Sequence, residues 1–184
     1  MMTVQTLYGA VTREVWRQLK DIRLLICDVD GVLSDGMIYL GNEGEEYKSF
    51  CTRDGFGIKA ILNAGIEVAV ITGRSSRIVN DRMTALGVHH IYQGQSDKMQ
   101  SYGELLAQLD LVPAQVAYIG DDVVDLPVMQ DCGLGVAVAD AHPLVLQRAG
   151  YTTRTIGGRG AVREFCDLLL DARGLLERAE GMSV

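Results

Sequence analysis

Short apolar runs alternate with amphipathic stretches over most of the chain. IRLLIC (22–27), IEVAVIT (66–72), HHIYQG (89–94), VAYIGD (116–121) and LGVAVAD (134–140) are apolar at nearly every position rather than at every second one. Strands that bury both faces belong in a parallel sheet covered by helices on each side. Between them, GFGIKAILNAG (55–65), SSRIVNDRMTALG (75–87), SDKMQSYGELLAQLD (96–110) and VVDLPVMQDCG (123–133) read as the covering helices. Gly65, Gly87 and Gly133 stand where a left-handed cap would end a helix. The pattern predicts an open α/β sandwich with a mostly parallel sheet.

Three segments fall outside this rhythm. Within the first twenty residues, Thr12 followed by Val15, Trp16 and Leu19 predicts an amphipathic helix docked on the body. GMIYLGNEGEEYKSFC (36–51) has two β-prone runs around Asn42-Glu43-Gly44 and predicts a β-hairpin. An exposed hairpin edge is either an ornament or a place where copies of the chain pair. The C-terminal stretch 157–184 predicts one helix from Ala161 to Ala172, then a flexible tail over 173–184.

Composition narrows the setting. The 184 residues fit one domain. The chain contains no apolar run of membrane-spanning length, and its first twenty residues lack the apolar centre of a signal peptide. Cys27, Cys51, Cys132 and Cys166 form no close pair, which predicts reduced thiols in a cytoplasmic protein and argues against zinc. A net charge of −7 argues against a nucleic-acid or anionic-membrane partner, but a local cluster of Arg and Lys could still take an anionic small molecule.

Ligands of parallel α/β sheets bind beyond the carboxyl ends of the strands. There the chain places Asp28 and Asp30 after the first strand and Thr72, Gly73 and Arg74 after the second. Lys98 follows the third, and Asp121, Asp122 and Asp125 follow the fourth. Each has a plain structural alternative: turn-forming acids, a β-branched strand end, a solvated lysine, N-caps of the next helix. Together, however, carboxylates from two strand ends converge on one crevice, which is unfavourable unless a cation binds. Oxygen-only ligation suits a hard ion, Mg²⁺ before others. A hydroxyl and an ammonium facing that ion meet the needs of phosphoryl transfer.

The ordered set DVDGV, VITGR, Lys98 and GDDVVD resembles the haloacid dehalogenase (HAD) phosphohydrolase superfamily. RDGFGIK (53–59), TGRSS (72–76), QGQSDK (93–98), VADAHP (138–143) and GGRGAVRE (157–164) extend the likeness to its capless octulosonate 8-phosphate phosphatases. The resemblance implies a three-layer Rossmann-like fold in a single domain over 1–184, without a cap domain. It implies Asp28 as nucleophile, Asp30 as general acid and base, and Thr72 and Lys98 on the transferring phosphoryl group. Mg²⁺ would be held by Asp28, Asp30 and Asp121, with Asp122 and Asp125 in an outer ring. The substrate set it implies is Asp30, Arg53, Asp54, Gly55, Lys59, Gly73, Arg74, Arg82 and Lys98.

For Lys59 and Arg82 an ordinary helix-surface charge is the alternative, whereas Arg74 and Arg82 are spaced to share a helix face. Arg159, between glycines, would reach a neighbour's site if the tail closed over it. Relatives of this subclass form tetramers through the hairpin, so the likeness predicts a homotetramer with 36–51 as interface. It places the chain in lipopolysaccharide precursor synthesis. The competing readings are a nonulosonate 9-phosphate phosphatase, a non-catalytic regulatory HAD domain and a receiver-like phosphoacceptor.

Overall fold

A computed structural model describes residues 2–179. In chain order the elements are β1 (Thr3–Thr6), β2 (Gly9–Thr12), α1 (Arg13–Asp21), β3 (Leu24–Cys27), β4 (Tyr39–Leu40) and β5 (Glu46–Tyr47). Then come α2 (Thr52–Asn63), β6 (Glu67–Ile71), α3 (Arg77–Ala85), β7 (His90–Tyr92), α4 (Lys98–Leu109) and β8 (Val116–Gly120). The last are α5 (Leu126–Asp131), β9 (Leu134–Ala137), α6 (Pro143–Arg148), β10 (Tyr151–Thr152) and α7 (Ala161–Asp171).

Six strands form one parallel sheet in the order β10-β9-β8-β3-β6-β7. Every residue of β3, β8 and β9 is buried, which is why these segments carry apolar side chains without alternation. On one face α2 packs along α7, and α1 touches α7 as well; α4, α5 and α6 are linked in series elsewhere. Gly57 permits the α2–α7 approach, since a Cβ there would sit 3.0 Å from Cys166 Cβ. After β3 the chain builds outward through β6 and β7, then returns to the other flank of β3 through β8. That reversal makes the β3–β8 boundary a topological switch point, where such sheets hold ligands.

The five anticipated strands and their covering helices are present, and among the described residues there is no cap domain. The hairpin is there too, with Tyr39 opposite Tyr47 and Leu40 opposite Glu46. Gly44 is left-handed at its tip. Thr12 caps α1 by accepting from Val15 N at 3.2 Å.

The differences have local causes. Residues 3–12 form an antiparallel hairpin ahead of α1, whose four-residue strands are too short to show a period in the sequence. α2 starts at Thr52, three residues before the expected Gly55, so Arg53, Asp54 and Gly55 lie in its first turn. The segment 123–133 is a 3-10 turn (123–125) followed by a short α5. Gly65 and Gly87 are left-handed, at φ 82° and 86°, but Gly133 is not a left-handed cap. It is required for space: a Cβ there would run into the Ala114 carbonyl. α6 and the two-residue β10 are too short to show a period. The tail expected to be flexible is docked over 173–179, where the Arg173 guanidinium donates to the carbonyls of Leu19, Lys20 and Ile22 at the end of α1. Residues 180–184 of that tail lie outside the described residues. No helix among the described residues is long and apolar enough to cross a membrane.

Candidate active site

The carboxyl ends of β3, β6 and β8 and the start of α4 border one crevice of about 350 Å³. Asp28, Asp30, Thr72, Gly73, Arg74, Lys98, Asp121 and Asp122 line it. Each arrives by ordinary local chemistry. Asp28 leaves β3 with its N–H still in the ladder, donating to Ile119 O at 3.0 Å. The chain then turns tightly, with three successive N–H groups of Val32, Leu33 and Ser34 directed at Val29 O. Gly31 is left-handed at φ 89°, and a Cβ there would strike the Asp121 carboxylate. Thr72 is held by its N–H on Tyr92 O at 2.9 Å, and Asp97 caps α4 just before Lys98.

Lys98 is the hub. Its ammonium lies 3.1 Å from Asp28 Oδ1 and 2.7 Å from Asp125 Oδ1, and it donates to Tyr118 Oη at 3.1 Å. Burial works against its charge, but Asp28 and Asp125 outweigh that and hold its pKa above the ordinary value. Asp28 is pushed up to about 6, first by burial and then by Asp125, with Lys98 opposing. Asp121 is pushed up to about 8 by burial, then by Asp28, Asp125 and Asp122. These shifts describe carboxylates gathered without enough positive charge.

Ligand atoms of Asp28, Asp121 and Asp125 all lie within 4.8 Å of one another. Asp125 is nevertheless fully engaged: Oδ1 accepts from Tyr118 Oη and Lys98 Nζ, and Oδ2 from the N–H groups of Asp121 and Asp122 at 3.0 and 3.1 Å. Asp121 Oδ1, in contrast, is buried with no hydrogen-bond partner. An orphaned carboxylate oxygen beside a second carboxylate is what a hard divalent cation would satisfy, and the donor set fits Mg²⁺. Asp28 and Asp121 are the side chains able to hold it, with Asp125 buttressing Lys98 and the loop behind. Asp122 accepts from Val123 N at 2.7 Å and caps the 3-10 turn.

The remaining substrate candidates lie elsewhere in the single chain. Asp54 caps α7, accepting from Arg163 N at 2.8 Å, and burial pushes its pKa up to about 6. Gly55 faces the Arg82 guanidinium, so Arg82 points toward α2 and not with Arg74 into the crevice. The physical reason is that Arg74 precedes α3 while Arg82 is in its last turn, so no common helix face relates them. Arg53 donates to Arg159 O at 2.6 Å, and Lys59 is half-buried on α2. Arg159 is 3.9 Å from Asp35, in a glycine loop pressed on the turn that follows β3: a Cβ at Gly157 would overlap Gly31 O.

Four residues bear on the site without having been singled out. Gln95 and Ser96 line the crevice, Tyr118 holds Lys98 from below, and Lys48 reaches from the hairpin to pair with Asp30. Period-two alternation from Glu46 to Lys48 was the available signal for the last.

A family model of haloacid dehalogenase-like hydrolases matches residues 85–164. The 3-deoxy-D-manno-octulosonate 8-phosphate phosphatase KdsC of Yersinia pestis is 58% identical over 181 residues, which cover 98% of this chain and 97% of that one. A crystal structure of the phosphatase of that name from Yersinia pestis superimposes with a TM-score of 0.97 at 57% identity, covering 100% of this chain and 99% of the other. A structure of the namesake enzyme from Moraxella catarrhalis, in complex with magnesium ion, phosphate ion and KDO, gives 0.89 at 40% identity, covering 91% and 97%.

Proposed function

The chain belongs to the haloacid dehalogenase-like hydrolases, among the 3-deoxy-D-manno-octulosonate 8-phosphate phosphatases, and we propose that it hydrolyses that sugar-acid phosphate with Mg²⁺ as cofactor. The observation that carries the reading is the convergence of Asp28, Thr72, Lys98 and Asp121 from four segments on one crevice. When bound, Mg²⁺ neutralises carboxylate and phosphoryl charge that would otherwise repel.

Asp28 is the nucleophile: its carboxylate forms a bond to phosphorus as the ester P–O bond breaks, giving an aspartyl-phosphate. Asp30 hands its proton to the departing sugar oxygen, then takes one from the water that cleaves the acyl-phosphate. Inorganic phosphate and the free sugar acid leave, and Asp28 is regenerated. Thr72 and Lys98 hold the transferring phosphoryl oxygens, and Lys98 keeps Asp28 ionised. Asp28, the Asp30 backbone carbonyl and Asp121 hold the metal, with Asp122 and Asp125 outside them. Arg74 at the crevice wall serves the substrate carboxylate with Gly73 beside it.

Arg53, Lys59, Arg82 and Arg159 act, in this reading, where subunits meet, while the buried Asp54 and Gly55 hold α2 against α7 and α3 behind them. Met37, Tyr39, Leu40 and Tyr47 leave the hairpin with an exposed apolar surface, which supports a homotetramer joined through 36–51. We place the enzyme in the cytoplasm, in lipopolysaccharide precursor synthesis. Steady-state kinetics on octulosonate 8-phosphate, nonulosonate 9-phosphates and simple sugar phosphates test the assignment. The octulosonate should lead in kcat/KM by at least tenfold, and equal values across the panel would refute it.

A further inference from the structure

The catalytic set leaves one ionic chain unexplained, running from Asp30 through Lys48 and Glu46 to Arg74. Glu46 and Lys48 both come from the hairpin, two residues apart and so on one side of their strand, while Tyr47 between them is exposed. The Lys48 side chain is completely enclosed, with its ammonium on Asp30 Oδ1 and Glu46 Oε1 3.9 Å away. Glu46 Oε2 lies 3.4 Å from Arg74 Nη2, and the Arg74 side chain is half exposed.

The two links differ in quality. An enclosed ammonium is tolerable only beside a carboxylate, so Lys48 and Asp30 fix one another's geometry. Glu46 is poorly served: its one hydrogen bond is long, and Oε1 is buried without a hydrogen-bond partner. A carboxylate presenting two oxygens to the guanidinium fork is a better partner for Arg74 than Glu46 is.

We propose that Lys48 is a positioning residue for Asp30, and that Glu46 occupies Arg74 against ligands lacking a second anionic group. A sugar phosphate with its own carboxylate displaces Glu46, which then turns its orphaned oxygen toward Lys48. A neutral sugar phosphate has nothing to exchange for Glu46 and meets a closed Arg74. The hairpin thus carries a selectivity device within the same chain as the site. The role given to Asp30 rests on the phosphatase reading.

The test uses the full chain with Mg²⁺ and two kinds of substrate. With p-nitrophenyl phosphate the leaving group departs without a proton donor, so Asp30 is needed only when water attacks the phosphoenzyme. Lys48→Met should lower kcat roughly 10- to 100-fold, with KM little changed and the Asp28 phosphoenzyme accumulating on acid quench. Lys48→Arg should restore most of the turnover, and Lys48→Gln replaces the methionine variant if that does not fold. Unchanged kcat, or loss of turnover without phosphoenzyme, overturns the role of Lys48. Glu46→Gln should narrow the kcat/KM advantage of octulosonate 8-phosphate over neutral sugar phosphates by about 3- to 5-fold, the scale of one partly exposed ion pair. An unchanged ratio overturns the role of Glu46. If the wild type shows no preference for the sugar-acid phosphate, the proposed substrate fails, while the p-nitrophenyl phosphate arm still decides on Lys48.

Discussion

Asp121→Asn separates catalytic need from stability. Burial, then Asp28, Asp125 and Asp122, push the Asp121 carboxyl from 3.8 up to about 8. For an acid whose folded value is raised, the stability associated with its protonated form is complete below the unfolded value. It is lost as pH rises through the folded one. Keeping the group neutral at pH 7.5 against an ordinary value of 3.8 sets a ceiling of about 5 kcal/mol. Water reaches part of this carboxyl and screens its neighbours, which reduces the figure to about 1–2 kcal/mol. The amide carries no charge, so the variant should be more stable than the wild type by about 1–2 kcal/mol at pH 7.5 in chelator, and by nothing measurable near pH 4. Excess Mg²⁺ should raise wild-type stability at pH 7.5 and leave the variant nearly unmoved, since a ligand stabilises only the state that binds it. Urea unfolding at both pH values, with chelator or with Mg²⁺, reads all of this. A variant destabilised equally at pH 4 and 7.5, or still stabilised by Mg²⁺ like the wild type, would refute the reasoning.

Tyr118→Phe removes a hydroxyl that bonds both Asp125 and Lys98, so kcat for the sugar-acid phosphate should fall about tenfold with little change in KM, because one buried hydrogen bond to charged groups is lost. Equal kcat would show that Lys98 is positioned without it. Asp54→Ala should lower the unfolding free energy by about 1–2 kcal/mol through loss of the α7 cap, with Asp54→Asn retaining most of it; a raised KM in a fully stable Asp54→Asn would instead assign Asp54 to the substrate. Deleting the turn of the 36–51 hairpin should convert the assembly to monomers by light scattering, and a monomeric wild type would contradict the tetramer.

Much of this molecule was legible because its central strands are buried on both faces. The runs at 22–27, 66–72 and 116–121 read as interior strands by their length and by apolar character at nearly every position, and their ends located the acids, Thr72 and the crevice. The N-terminal hairpin and β10 were not legible, since short strands at a sheet's margin carry too few residues to show a period. The family resemblance set Asp121 apart from Asp125, but the physical reason for the difference shows only in the folded chain. The sequence places Asp121 and Asp125 alike after β8, yet one keeps an unpartnered oxygen and the other has none to spare. Arg53 and Asp54 fell outside the expected helix because two glycines, at 55 and 57, obscure its first turn. For Lys48 the alternation from Glu46 to Lys48 says only that the two share a side of their strand, not that this side is the enclosed one. The lysine's enclosure depends on Asp30, 18 residues away.

The most direct test of the phosphatase account is kcat/KM for octulosonate 8-phosphate, measured for the wild type and Asp28→Asn with Mg²⁺ and with chelator. In the proposed mechanism Asp28 supplies both the nucleophile and a carboxylate of the metal site, so activity should appear only in the wild type with Mg²⁺. The substitution should reduce it by at least about 10⁴-fold, the scale seen when an essential nucleophile is removed. Full turnover by Asp28→Asn, or by the wild type in chelator, would contradict the account.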